Sequence, residues 1–249
     1  MGERVAVGEL AVHRARKLIC WPECDEETLK ARIVELEGFG VSAIVLAGRH
    51  RLDGLRVLGK GHTGVVVEVE SDVSRAALKV LRIDSDRHSM GEEARLLSAA
   101  NAVGVGPRLF RHSRDFLLME LVEGPYLRDV LDEMEPGELR RILRELLRQA
   151  RRLDVAGVDH GEMVSLRRHV ILRGDSPVII DFESASTGRR VANVTTTAQS
   201  LFIGGEVGMK INRVLGLTDE NEMLKALRNY RRSMDEVDFR KVLETAGLG

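Results

Sequence analysis

The stretch Gly59, Lys60, Gly61, His62, Thr63, Gly64, Val65 and Val66 constrains the fold more than any other feature of the chain. Three glycines at G-x-G-x-x-G spacing strip side chains from one side of a loop, so that backbone N–H groups can approach phosphate oxygens. In a dinucleotide-binding unit such a loop joins a strand to a helix. Here it lies between two β-rich runs, Leu55 to Val69 and Ala76 to Ile83, and the dinucleotide reading fails its own context. A glycine-rich hairpin without a ligand is the alternative that this segment alone leaves open.

The flanking sequence extends the β-rich reading on one side and turns helical on the other. Asp25 is placed to cap a helix carrying Leu29, Ile33 and Leu36, with Gly38 where a helix C-terminus needs a left-handed residue. Val41 to Leu46 reads as a strand, Met90 to Ala100 as a helix ended by Gly104, Gly106 and Pro107, and Phe116 to Met119 as a short strand. A long amphipathic helix follows over Gly137 to Leu153, with Leu139, Leu143, Leu146, Leu147, Ala150 and Leu153 on one face and arginines on its solvated side. Val170 to Leu172 and Val178 to Phe182 flank a hairpin turn, and the rest is mostly helical. The layout predicts an α+β, two-lobed fold: a leading segment 1–54, a β-rich lobe 55–122 and an α-rich lobe 123–249, joined near Glu120 to Gly124.

Composition narrows the function classes. With 249 residues, 43% of them hydrophobic, the chain can bury a core without staples. Its 38 basic and 39 acidic residues leave no global field to pull it onto nucleic acid or an anionic membrane, and any such contact needs a local patch. No apolar run reaches membrane-span length and Met1 to Lys17 lacks the apolar core of a secretory signal, so a cytoplasmic location is expected. Cys20 and Cys24 are too few for a disulfide framework or a four-ligand zinc site and read as reduced packing thiols.

Two charges fall where apolar residues belong. Lys79 interrupts the apolar run Ala77, Leu78, Val80, Leu81, fifteen residues past Gly64. On the Met90 to Ala100 helix, Glu93 lies near the centre of the face formed by Met90, Ala94, Leu96, Leu97 and Ala100. A buried ammonium and a buried carboxylate are each costly alone, so the two are expected to pair and together hold phosphate.

With these residues in place the chain resembles the protein kinase superfamily, and most the compact atypical kinases of the RIO and KEOPS-complex type. The resemblance covers about Leu55 to Thr197. It implies ATP with Mg2+ or Mn2+ as cofactors, Gly59, Gly61, Gly64, Val66, Lys79 and Glu93 around the nucleotide, and backbone groups of Glu120 and Val122, in the hinge-like Met119 to Gly124, on adenine. Val158, Asp159, His160, Gly161, Glu162 resembles the catalytic loop, and Ile179, Ile180, Asp181, Phe182, Glu183 the metal-binding motif. Lys79, Glu162 and Asp181 then take the catalytic positions, with glutamate where these kinases carry an aspartate base.

The loop's usual metal-binding asparagine is absent. Counting five residues from Glu162 gives Arg167, whereas aligning on the strand Val170 to Leu172 gives His169 and a two-residue insertion; strand placement favours His169. Imidazole is a poor magnesium ligand, which points to manganese or to a further carboxylate. Glu183, two residues beyond Asp181, is that candidate, making Asp181, His169 and Glu183 the metal set. Asn193 to Thr197 stands where a kinase has its activation segment, and residues 1–54 read as a layer packed on the first lobe, with nucleic-acid contact a minor option. The expected activity is slow phosphoryl transfer from ATP to a protein hydroxyl, autophosphorylation included. A small-molecule phosphotransferase of the choline or aminoglycoside kinase type, and a nucleotide-gated module switching a protein or ribonucleoprotein partner, are the competing readings.

Overall fold

A computed structural model describes residues 2–216 and 218–249, apart from the side chains of residues 165–167, so Arg167 lies outside the described side chains. The chain forms two compact units, Met1–Arg95 with Arg108–Leu121, and Leu96–Pro107 with Val122–Gly249. No helix among the described residues is long and apolar enough to cross a membrane.

The first unit runs β1 (Glu3–Ala6), α1 (Arg16–Ile19), α2 (Glu26–Gly38), β2 (Val41–Leu46), β3 (His50–Leu52), β4 (Leu55–Val57), β5 (Gly59–Lys60), β6 (Gly64–Ser71) and β7 (Arg75–Leu81). Then come α3 (Gly91–Ala102), which crosses the unit boundary, β8 (Leu109–His112) and β9 (Phe116–Glu120). Among the described residues seven strands make one sheet, in the order β1-β2-β6-β7-β9-β8 with β5 paired to β6. Every pairing in it is antiparallel. Val65, Val67, Val69, Leu78, Val80, Phe116 and Leu118 from its strands bury into one core with Leu18, Ile19, Leu29 and Leu36 of α1 and α2.

Helix α2 starts as the sequence dictates: the Asp25 carboxylate accepts the Thr28 N–H at 2.7 Å, and that bond holds its carboxyl below the usual range. The left-handed residue after it is Gly40, not Gly38, which closes the helix itself. Residues 1–54 are only partly a layer. Helices α1 and α2 contribute to the core against the sheet, but β1 and β2 are strands of that sheet, β2 pairing Val45 with Glu68 of β6. The cysteines are bonded to each other, against the expectation of free thiols. The short segment from the end of α1 to the cap of α2 folds back and brings their Cα atoms to 5.3 Å, within disulfide reach.

The second unit contains α4 (Leu127–Val130), α5 (Pro136–Val155), α6 (Leu166–His169), the hairpin β10 (Val170–Arg173) with β11 (Ser176–Ile179), and four further helices. These are α7 (Asn193–Phe202), α8 (Gly205–Leu215), α9 (Glu220–Ser233) and α10 (Glu236–Thr245). The α5 face predicted to be apolar is fully buried, with Ile142 added to it. Asn193 to Thr197, expected as an activation segment, are instead the start of α7 and mostly buried. The Asp154 carboxylate is the reason: it accepts the backbone N–H groups of Asn193 and Val194, the Asn193 side-chain amide and the Tyr230 hydroxyl, at 2.8–3.1 Å. Burial raises the Asp154 carboxyl pKa, and these donors lower it only in part.

Candidate functional site

In the first unit the glycine segment forms a β-hairpin end. Gly61 N–H donates to the Gly64 carbonyl at 2.8 Å, and Arg82 ties the tip to the end of β7, its N–H donating to Thr63 O and its guanidinium to Gly61 O. Val66 pairs with Gly59 on one side and with Lys79 on the other. A Cβ on Gly64 would stand 2.9 Å from the Val80 carbonyl oxygen and 3.2 Å from two carbons of the Lys79 side chain. The missing methyl group is what lets the hairpin lie against that lysine.

Lys79 is 4% exposed, sits between buried Leu78 and Val80, and places its Nζ 2.8 Å from Oε1 of Glu93. Glu93 occupies the first turn of α3 and is 3% exposed. The helix start is fixed by the Ser89 hydroxyl, which accepts Gly91 N–H, and by Met90, whose N–H donates to the Arg114 carbonyl. At the end of β9, Glu120 donates its N–H to the carbonyl of Arg108, just before β8, at 2.8 Å, so that donor is engaged. Val122 begins the Val122–Gly249 segment of the second unit, outside any regular element.

The second unit gathers Glu162, His169 and Asp181. His169 Nε2 lies 2.9 Å from Glu162 Oε2, and its Nδ1 lies 3.9 Å from Asp181 Oδ2. The ring is buried, and Nδ1 makes no hydrogen bond among the described residues. The other Glu162 oxygen accepts a short hydrogen bond from the Ser184 hydroxyl. Backbone pairing brings these segments together: Asp159 and Ser186 exchange two hydrogen bonds, Ile180 N–H donates to His169 O, and Arg189 reaches both Asp159 and the Ser184 carbonyl. Gly161, at φ +85°, permits the contact, because a Cβ there would stand 2.5 Å from the Ser184 carbonyl oxygen.

Behind this cluster His160 is fully buried. Its Nε2 bonds the Ile180 carbonyl at 3.2 Å, and its ring packs edge-on against His169 and Phe182. Burial, with His169 alongside, pushes its pKa down to about 4, so the ring is neutral at neutral pH. Its backbone N–H donates to the Asn193 side-chain oxygen at 2.9 Å, which ties the loop to α7 and through Asn193 to Asp154. Ser184 and the Asn193–Asp154 anchor carry no motif that singles them out; their roles come from long-range packing. Asp181 holds a left-handed backbone, φ +69°, and Glu183 stands partly buried in the turn after it.

Among the described residues no group of three or more His, Cys, Asp or Glu side chains is set to hold a metal ion. What the cluster offers is a pair of donors. The buried Nδ1 of His169 is turned toward Asp181, while the Nε2 of the same ring is held by Glu162. A histidine that binds metal through one nitrogen commonly has a carboxylate on the other, and the Glu162–His169 contact has that form.

Comparison with known proteins supports a kinase-like superfamily for this α+β chain. It is 33% identical over 93 residues to the KEOPS complex subunit Bud32 of Pyrococcus abyssi, covering 36% of this chain and 41% of that protein. It is 30% identical over 128 residues to the EKC/KEOPS complex subunit BUD32 of Encephalitozoon cuniculi, covering 49% and 62%. The chain therefore spans less than two thirds of either subunit. A further relative, an uncharacterized protein of Methanocaldococcus jannaschii, is 26% identical over 99 residues, 40% of this chain and 84% of that protein. No family model matches the chain.

Proposed function

We propose that the chain is an ATP-dependent protein kinase that transfers the γ-phosphoryl group to a serine or threonine hydroxyl of a protein. The buried Lys79–Glu93 pair carries the reading, because two charges withdrawn from water beside a glycine hairpin are hard to account for unless they serve an anionic ligand. In this reading the backbone N–H groups of residues 59–64 and the Lys79 ammonium hold phosphate oxygens, Glu93 fixes that ammonium, and backbone groups near Glu120 and Val122 take the adenine. Asp181 and His169 hold the divalent cation, with Glu183 a further candidate. The cation, when bound, supplies positive charge against the phosphate oxygens. The kinase-like, two-lobed architecture belongs to the same proposal, as does a place within a protein complex, since both Bud32 relatives are subunits of one.

The test is transfer of labelled γ-phosphate from ATP by the purified protein, with Mg2+ and separately with Mn2+. Label is expected on the protein itself or on a general protein acceptor, and is expected to vanish in Asp181→Ala. Equal labelling by wild type and Asp181→Ala, or label only on small alcohols, would refute a protein kinase that works through Asp181.

A further inference from the structure

The hairpin of β3 and β4, in the first unit, carries charges that the fold leaves uncompensated. Between Ala47 and Gly61 the chain has four basic residues, Arg49, Arg51, Arg56 and Lys60, against one acidic residue, Asp53. The turn is Asp53 and Gly54, both at positive φ, and this two-residue connection sets Leu52 opposite Leu55. With that register fixed, Arg51 stands directly opposite Arg56. Like charges at directly opposed positions of an antiparallel pair destabilise it. Leu52, Leu55 and Val57 bury into the core of the first unit, so the alternate face looks outward, and Arg51, Arg56 and Lys60 are all exposed. Their only polar contacts are backbone carbonyls: Arg51 donates to Gly54 O, Arg56 to Gly48 O and Lys60 to Arg51 O, at 3.0–3.2 Å. Among the described residues no carboxylate lies within ion-pair reach of these three cations, because Asp53 is already paired with Lys17.

We propose that the outer face of this hairpin, with Arg51, Arg56 and Lys60, is a sequence-independent docking surface for the phosphate backbone of a nucleic acid. Guanidinium forks match phosphate oxygens, and a phosphate seated between Arg51 and Arg56 removes the repulsion that their register imposes. The backbone of a duplex repeats that anion at short intervals and releases counterions when cations replace them. Other anionic partners suit the face less. No large apolar side chain between Ala47 and Gly61 is exposed, so nothing on it can enter a lipid surface or anchor a folded protein. The chain as a whole carries a net charge of -1, which confines the attraction to this face. The surface ends at the glycine hairpin, since Lys60 belongs to β5 and its ammonium is the link to Arg51. The proposal goes beyond the kinase reading and does not rest on it.

The experiment is fluorescence anisotropy of a short labelled DNA duplex of mixed sequence, titrated with the full chain at several salt concentrations, without ATP or divalent cation. Wild type is expected to bind, with the logarithm of affinity falling against the logarithm of salt at a slope of about -3, as three phosphate contacts require. Arg51→Gln with Arg56→Gln should reduce that slope by about 2 and weaken binding on the order of 10- to 100-fold at about 0.1 M salt. Arg141→Gln with Arg148→Gln removes the same charge from the exposed side of α5 and should leave affinity and slope unchanged. Because the opposed arginines repel, the hairpin variant should melt no lower than wild type. A lower melting temperature with DNA binding unchanged would mean that the arginines serve only the hairpin carbonyls, and would overturn the proposal. A duplex of different sequence and an RNA duplex should bind within a few fold of the first, since the contacts are to backbone. No binding to any of these, an equal loss in the α5 variant, or tighter binding at equal salt to anionic lipid vesicles or to polyglutamate would each overturn it as well. With ATP absent, the outcome is separate from that of phosphoryl transfer.

Discussion

Lys79 and Glu93 face each other at 2.8 Å with side chains 5% and 4% exposed, so neither charge is solvated by bulk water. Removing one partner of a buried pair commonly costs about 3–5 kcal/mol, whereas replacing both by apolar groups of similar volume is often neutral. Glu93→Gln is therefore expected to lower the unfolding free energy by about 3 kcal/mol, and Lys79→Met with Glu93→Leu to recover most of it while abolishing phosphoryl transfer. Urea unfolding of the two variants decides: a double variant as unstable as the single one would mean that the pair stabilises the fold by itself. This pair was legible in the sequence because each charge breaks an apolar pattern that can be counted. The Glu162–His169 pair was half legible. Both residues stood out, but the loop between them left two registers open and nothing marked Glu162 as the partner of His169. Ser184 gave no signal at all, since a serine after Asp181, Phe182, Glu183 differs from a loop serine only through what folds against it.

At the scale of elements, patterns with a period were read well and contacts between distant segments were not. The apolar spacing of α5 and the Asp25 cap of α2 are local and appear where expected. The start of helix α7 reads in sequence as an activation segment because it opens on asparagine and three threonines, poor helix formers, and is held by Asp154, 39 residues away in sequence from Asn193. The α1–α2 turn shows a different limit. Counting cysteines speaks to disulfide frameworks, but not to one short turn that brings two sulfurs together. The Cys20–Cys24 bond closes a loop of sequence separation 4, for which the chain-entropy estimate is about 2 kcal/mol. Reduction by dithiothreitol, or Cys20→Ala with Cys24→Ala, is expected to destabilise the first unit by that amount. The Trp21 carbonyl accepts the Ile83 N–H, so hydrogen exchange at Ile83 should quicken as well. A melting curve that ignores reductant would show that packing alone fixes the turn.

At the scale of the molecule, the buried groups titrate in opposing senses, and the pH dependence of unfolding follows from both. His160 has a folded pKa of about 4 against an ordinary value of 6.5, so the unfolded chain takes up a proton that the folded one refuses. Its contribution is fully present above pH 6.5, falls as the pH drops toward 4, and amounts to about 3 kcal/mol across that window. Asp154 runs the other way. Burial raises its folded pKa above the ordinary 3.8, so its contribution is present below 3.8 and is lost as the pH rises through the folded value. Tyr230, which donates to Asp154, has its own hydroxyl pushed up by burial and stays protonated throughout. The two terms overlap at the acidic end, where Asp154 offsets part of the loss from His160. Urea unfolding in chelator should therefore show stability declining from pH 6.5 toward 4, most steeply near about pH 5 and less so below. His160→Gln should flatten the upper part of that decline, and Asp154→Asn should steepen the lower part. A wild-type profile that is level between pH 6.5 and 5 would mean that His160 is not buried as a neutral ring, and the packing that holds His169 in place would lose its support.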